Sequence, residues 1–227
     1  MSCQKPTCKH HICDALWESG HSYKRGVSIV VHDGDNIIIG ETGLGRMYGK
    51  YTTCAGKHSA DDGCCMETAV RELREEFKIT ETYDQHHHSR FEACATIGEH
   101  IVMLFNCTGL DYGMMKAKVR SDYQRALSVV GIYTVEECKN LRYCRNEPRE
   151  VTEATTNGEL KDIYYIPYGD LPRYRGRYRD FCEEHVDVMM SHVHHMSSRY
   201  TPITTAYRGM SRYDDRIVTF AWTGTQY

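Results

Sequence analysis

The chain has 227 residues, a net charge of −3, 41% hydrophobic and 26% charged residues. This is the composition of one folded domain, with or without extensions, and the weak net charge leaves any nucleic-acid contact to a local patch. No run of eighteen apolar residues offers a membrane span, and the N-terminal MSCQKPTCKHHICDALW lacks the apolar core of a secretion signal.

The eleven cysteines are odd in number and scattered. Without a secretion signal they predict reduced thiols in a cytoplasmic or nuclear protein, most of them acting as small buried hydrophobes. Cys3, Cys8, His10, His11 and Cys13 crowd the first 22 residues. Thiolates and imidazoles at this density can close a zinc site, at Cys3, Cys8, His10 and Cys13. They can equally belong to a loosely packed arm, since the spacing has no second CxxC.

Residues 26–41, GVSIVVHDGDNIIIGE, predict a β-hairpin: Val27, Ile29 and Val31 alternate, and Asp33-Gly34 supplies the turn. The glycine-rich 42–50 reads as a loop without the GK[ST] of a P-loop. A short strand, 50–53, leads into Cys54-Ala55-Gly56-Lys57.

Gly63 to Ile79 reads GCCMETAVRELREEFKI. Met66, Ala69, Val70, Leu73 and Phe77 recur at intervals of three and four, which predicts an amphipathic helix. Glu72, Glu75 and Glu76 share one side of two turns. Like charges so placed repel by about a few tenths of a kcal/mol per pair when exposed. Arg71 reaches only part of the cluster, so Mg2+ or Mn2+ is the natural remaining counter-charge. An RExxEE run is also what a solvated, salt-bridged face looks like.

This stretch resembles the Nudix hydrolase box. Arg71-Glu72-Leu73-Arg74-Glu75-Glu76-Phe77-Lys78-Ile79 matches its second half, with Lys78 where a glycine is usual. Gly56 lies one residue too far from Arg71, and Gly63 takes the place of the early Glu, with Asp61 and Asp62 beside it. The resemblance implies an α/β (α+β) Nudix fold, a mixed β-sheet sandwiched between helices. It implies a pyrophosphatase in which Glu72, Glu75 and Glu76 supply metal ligands, with Asp62 standing in for the early Glu. It gives Glu72 and Glu76 catalytic roles, has Arg71 orient the carboxylates, and brings Lys57 to a phosphate. A further Glu, base or ligand, is expected ahead of the late strand. Glu147, Glu150, Glu153 and Glu159 all qualify by position, with a lean to Glu150 or Glu153.

Beyond the box, His86–His88 form a triplet typical of a solvated loop. Residues 91–110 predict a second hairpin turning at 98–100, and 111–133 contain a stretch of helical character. Thr134 to Glu137 has capping-box form, and 146–159 reads as a loop. Residues 159–172 predict a late strand, followed by Asp170 and Pro172 opening the last helix. That helix runs through His185 and Met189. In the tail, Ile217 to Trp222 is β-like. The domain reading is an arm at 1–22, a Nudix domain at 23–198 and an extension at 199–227.

In RYRGRYRD, Arg173, Arg175, Arg177 and Arg179 alternate with Tyr174 and Tyr178. Extended, the stretch offers cations on one side and rings on the other, suited to phosphates and bases, with Arg175 and Arg177 the substrate-binding candidates. A solvated face is the plain alternative. The divergent box, long insertions and cysteine-rich arm look more like viral mRNA-decapping members of the family than compact ones. The expectation is a metal-dependent hydrolase of capped RNA, with ADP-ribose or another small nucleotide as the alternative substrate. A Nudix-fold nucleotide- or RNA-binding module without turnover is the alternative of another class.

Overall fold

The computed structural model describes residues 26–80, 90–97, 100–142, 147–174, 176–178, 182–196, 206–208 and 217–222. The Cys3/Cys8/His10/Cys13 cluster, the His86–His88 triplet, Arg175 and Arg179 lie outside them.

A mixed sheet stands between helices on both faces, the expected architecture. The first hairpin is β1 (Gly26–His32) and β2 (Asn36–Thr42), antiparallel about Asp33 and Gly34. Two short strands follow, β3 (Tyr51–Thr52) on β2 and β4 (Cys54–Gly56) on β1. The second hairpin is β5 (Phe91–Ile97) and β6 (His100–Asn106), and β6 runs parallel to β1. Strand β7 (Leu160–Pro167) pairs antiparallel with β2. In the tail, β8 (Ala206–Arg208) pairs with β9 (Ile217–Trp222), and β9 joins the same sheet along β5.

Period-two alternation decides which side chains meet which helix layer. Val27, Ile29, Val31, Ile101, Met103 and Phe105 point to one face, where helix α1 (Cys65–Glu76) lies. The stripe read from the sequence, Met66, Ala69, Val70, Leu73 and Phe77, is the buried face of α1. Val30, Ile37, Ile39, Val102 and Leu104 point the other way, against the last helix.

The ambiguous 111–133 is a 19-residue helix, α2 (Tyr112–Val130). Asp111 caps it by accepting from the Met114 N–H at 2.9 Å, and Gly131 ends it in the left-handed region. Thr134 and Glu137 form the expected capping box of α3 (Val135–Asn140).

The loop read at 146–159 contains a helix, α4 (Arg149–Asn157). Its buried stripe is made of small residues, Ala154 and Thr155, and it closes on α2 at Gly158, where a Cβ would collide with Ala126. The hydroxyls of Thr152 and Thr155 fold back on carbonyls one turn earlier, so they are satisfied inside the helix and do not divert the backbone into a turn.

Asp170 and Pro172 do not open the last helix. They sit in a 3-10 turn, Tyr168–Tyr174, and helix α5 begins only at Cys182, running to Met196. Tyr174, Arg177 and Tyr178 are pinned to β3. The Tyr51 N–H donates to the Arg177 carbonyl at 2.8 Å, and the Tyr174 and Tyr178 rings pack 5.4 and 5.9 Å from Tyr51.

Candidate active site

Helix α1 carries the site. Cys64 at its N-cap makes no side-chain cap bond, so the preceding loop is tied down by other groups. The Gly63 N–H donates to Glu67 at 2.6 Å, and the Ser59 N–H donates to Asp62 at 2.8 Å. Asp62 also accepts from the Thr68 hydroxyl at 3.0 Å, which fastens the loop to the first turn of α1.

Arg71 is the centre of the polar cluster. Its guanidinium donates to both oxygens of Asp62 at 3.0–3.3 Å, to Glu75 at 2.9 Å and to the Lys57 carbonyl at 2.8 Å. It also pairs with Glu72 at 2.6 Å. One cation thus gathers three carboxylates from a loop and two helical turns. Burial works against its charge, but Asp62, Glu72 and Glu75 outweigh that and hold it protonated.

Glu72 is only 6% exposed and lies against Gly56 of β4. Any Cβ at position 56 would overlap the Glu72 carboxylate, which is why this turn needs glycine. Burial pushes the Glu72 pKa up to about 7; Arg71 opposes the rise, while the charges of Glu75 and Glu159 add to it. Asp62 moves the other way. Burial raises its pKa, but the Arg71 and Ser59 hydrogen bonds outweigh that and hold it below its usual value.

Glu76, 5% exposed, accepts from the Ala55 N–H at 2.8 Å. It also accepts from the thiol of buried Cys54, whose pKa is driven up by burial and by Glu76 itself. Cys54 thus joins β4 to α1.

The remaining candidates are spread out. Glu150 and Glu153 are exposed on α4. Of the four acids ahead of β7, Glu159 is the one whose charge acts on Glu72, and its carbonyl accepts from the Gly43 N–H at 2.7 Å. Its place beside the strand start was the signal that could have picked it out. Lys57 is exposed. Arg177 is exposed and lies 4.7 Å over the Tyr51 ring. Tyr174 and Tyr178, read as stackers for bases, are committed to Tyr51 instead.

Lys78, the residue in place of the box glycine, has φ +60°, and is the one non-glycine residue with positive φ among the described residues. The backbone demand behind a glycine is thus present here and met by a lysine. The left-handed turn lets the Ile79 N–H return to the Leu73 carbonyl at 3.0 Å. The buried ammonium binds the carbonyls of Glu75 (2.5 Å) and Asn157 (2.7 Å) and the Asp122 carboxylate (2.8 Å).

Among the described residues, no three His, Cys, Asp or Glu side chains converge on a common point as a metal site. Arg71 occupies the space between Asp62, Glu72 and Glu75. The donor set is nonetheless all carboxylate oxygen, which suits a hard divalent cation.

No protein-family model matches the chain. No curated protein matches it either. Solved structures do show a likeness. A bifunctional NMN adenylyltransferase/ADP ribose pyrophosphatase from Francisella tularensis, complexed with AMP and a Mn ion, is 12% identical with a TM-score of 0.46, over 79% of this chain and 45% of that one. The NUDIX domain of Shewanella oneidensis NrtR, complexed with ADP ribose, is 10% identical with a TM-score of 0.40, over 74% and 86% of the two chains. A NUDIX hydrolase from Nitrosomonas europaea is 12% identical with a TM-score of 0.37, over 76% and 73%. The chain spans less than half the length of the Francisella enzyme. Likeness at this level does not establish a family or an activity.

Proposed function

We propose that this chain is a Nudix-type hydrolase, dependent on Mg2+ or Mn2+, that cleaves a pyrophosphate bond in a nucleoside diphosphate-linked substrate. The observation that carries the reading is the Arg71-centred cluster on the RELREEFKI helix, with buried Glu72 seated on Gly56. Buried carboxylates gathered round one guanidinium in such a cluster mark functional sites.

In this reading Glu72, Glu75 and Glu76 would hold the divalent ion, which when bound would neutralise the substrate's charge and lower the pKa of the attacking water. Asp62 serves first as the anchor of Arg71, its oxygens being taken by Arg71, Ser59 and Thr68. Arg71 fixes the carboxylates, a supporting role. The reaction consumes one water. Its oxygen bonds to phosphorus as the bridging P–O bond breaks, the displaced phosphate leaves as the anion, and one of the water's protons passes to a carboxylate of the cluster that is not holding the ion. Glu159, whose charge already acts on Glu72, is the favoured further carboxylate, ahead of Glu150 and Glu153.

The domain spans about 23–198, and β9 extends its sheet from the 199–227 extension. Described Cys54, Cys64, Cys65, Cys94, Cys107 and Cys138 are buried free thiols, which supports a reducing, cytoplasmic or nuclear setting. Among the described residues no helix is long and apolar enough to cross a membrane.

Of the two expected substrates a small nucleotide such as ADP-ribose now comes first, because the packing of Tyr174 and Tyr178 onto Tyr51 removes the expected base-stacking surface; capped RNA is the second. The test offers purified protein, with Mg2+ or Mn2+, cap-labelled RNA and ADP-ribose separately. Release of methylated guanosine diphosphate assigns decapping. Turnover of ADP-ribose alone assigns a small-nucleotide pyrophosphatase. No turnover of either points to another nucleotide substrate, and, if none is found, to the nucleotide-binding module.

A further inference from the structure

Where α1 ends against α2, a groove of about 330 Å³ opens, lined by Arg74, Lys78, Thr80, Lys118, Ser121 and Asp122 among others. Three cations face one carboxylate. Lys78 is already spent: its three protons meet the carbonyls of Glu75 and Asn157 and the Asp122 carboxylate. It forms a rigid floor joining α1, α2 and α4, and its left-handed backbone is strain kept in place by those contacts. The rim carries two further cations, Arg74 and Lys118, both exposed. Lys118 pairs with no carboxylate among the described residues. Ser121 and Thr80, also exposed, add hydroxyl donors.

The lining carries no aromatic ring and no large apolar side chain, so it suits neither a stacked base nor an apolar ligand. Cations and hydroxyls without rings are the chemistry of phosphate contacts that hold a chain without reading its sequence. The groove also adjoins the candidate active site. Glu75 gives its carboxylate to Arg71 and its carbonyl to the groove floor.

We propose that this groove binds a chain of phosphates, either the backbone of a single-stranded nucleic acid or inorganic polyphosphate. It rests on the hydrolase reading in one respect only, that the chain would lead away from a pyrophosphate held at Glu72.

The test reads binding, not turnover. Full-length protein in chelator is titrated into a 5′-fluorescein-labelled twelve-residue oligouridylate at low salt, and anisotropy is followed. Inorganic polyphosphate is the competitor and, in a parallel titration, the direct ligand. Binding in the range of about 1–100 µM that weakens with salt is expected. Lys118→Glu weakens it about tenfold and lowers the salt slope by about one. Lys118→Gln does so less. Lys139→Glu, an equal charge change at an exposed residue of α3, changes it less than about twofold. Competition between the probes makes the site general for phosphate chains, and binding of polyphosphate alone identifies that source. Binding of neither probe, a Lys118→Glu protein that binds like wild type, or equal weakening by Lys139→Glu overturns the proposal. Because no substrate is turned over, an inactive hydrolase leaves each of these outcomes readable.

Discussion

Lys78→Ala and Lys78→Gly should destabilise the protein by different amounts, and the difference measures the backbone strain at this turn. Both remove the ammonium, and with it the bonds to the Glu75 and Asn157 carbonyls at 2.5 and 2.7 Å and the pair with Asp122 at 2.8 Å. Hydrogen bonds to charged groups contribute about 1.5–3 kcal/mol each. Here the carbonyls sit at helix ends and the Asp122 side chain is 35% exposed, so water recovers part of the loss. A net cost of about 3 kcal/mol follows for Lys78→Ala. Alanine keeps a side chain at φ +60°, whereas glycine occupies that region freely. Releasing that strain is worth about 1 kcal/mol, so Lys78→Gly costs about 2 kcal/mol. For a chain of this length the two should lower Tm by roughly 9 and 6 °C. Urea unfolding with an unchanged slope is the assay. A glycine variant no more stable than the alanine variant, or an alanine variant within about 1 kcal/mol of wild type, would refute the strained-cap account.

Gly56→Ala places a methyl group where the Glu72 carboxylate lies, so either β4 or Glu72 must move. Turnover should fall by about a hundredfold or more, with the circular dichroism spectrum retained; an unaffected kcat would remove Glu72 from its seat in this account. Glu72 also predicts a pH effect in chelator. Its ordinary value is 4.5 and the fold raises it to about 7, so the folded state holds a proton that the unfolded chain releases. Stability from this group is present below pH 4.5 and is lost as pH rises through about 7. Glu72→Gln has no such loss, so its stability relative to wild type should grow by about 3 kcal/mol between pH 4.5 and pH 8. A difference that stays flat across that range contradicts the raised value.

Much of the frame was legible because its signals are periodic. The hairpins at 26–42 and 91–106 follow from alternation and from Asp33-Gly34, and α1 follows from its Met66-to-Phe77 stripe. Helix α4 was not legible, because a stripe of Ala154 and Thr155 ending on Gly158 carries little hydrophobic signal. The start of α5 was misplaced because Asp170 and Pro172 suit a 3-10 turn as well as a helix N-terminus. In the site, the clustering of Glu72, Glu75 and Glu76 on α1 could be read from spacing alone. Which acid ahead of β7 acts on Glu72, and that Cys54 bonds Glu76, depend on how strands meet α1 in space. The arginine–tyrosine alternation was real, but its rings turn toward Tyr51, a tertiary choice that the local pattern does not encode.

The central claim is that the carboxylates of α1 carry a metal-dependent hydrolysis. The most direct measurement is single-turnover hydrolysis of cap-labelled RNA and of ADP-ribose by wild type, Glu72→Gln and Glu76→Gln, with Mg2+ or Mn2+ and with chelator. The account predicts turnover of one substrate by wild type, abolished by chelator and lowered by about a thousandfold or more in both folded variants. Turnover that survives in either variant, or that is indifferent to chelator, would contradict it.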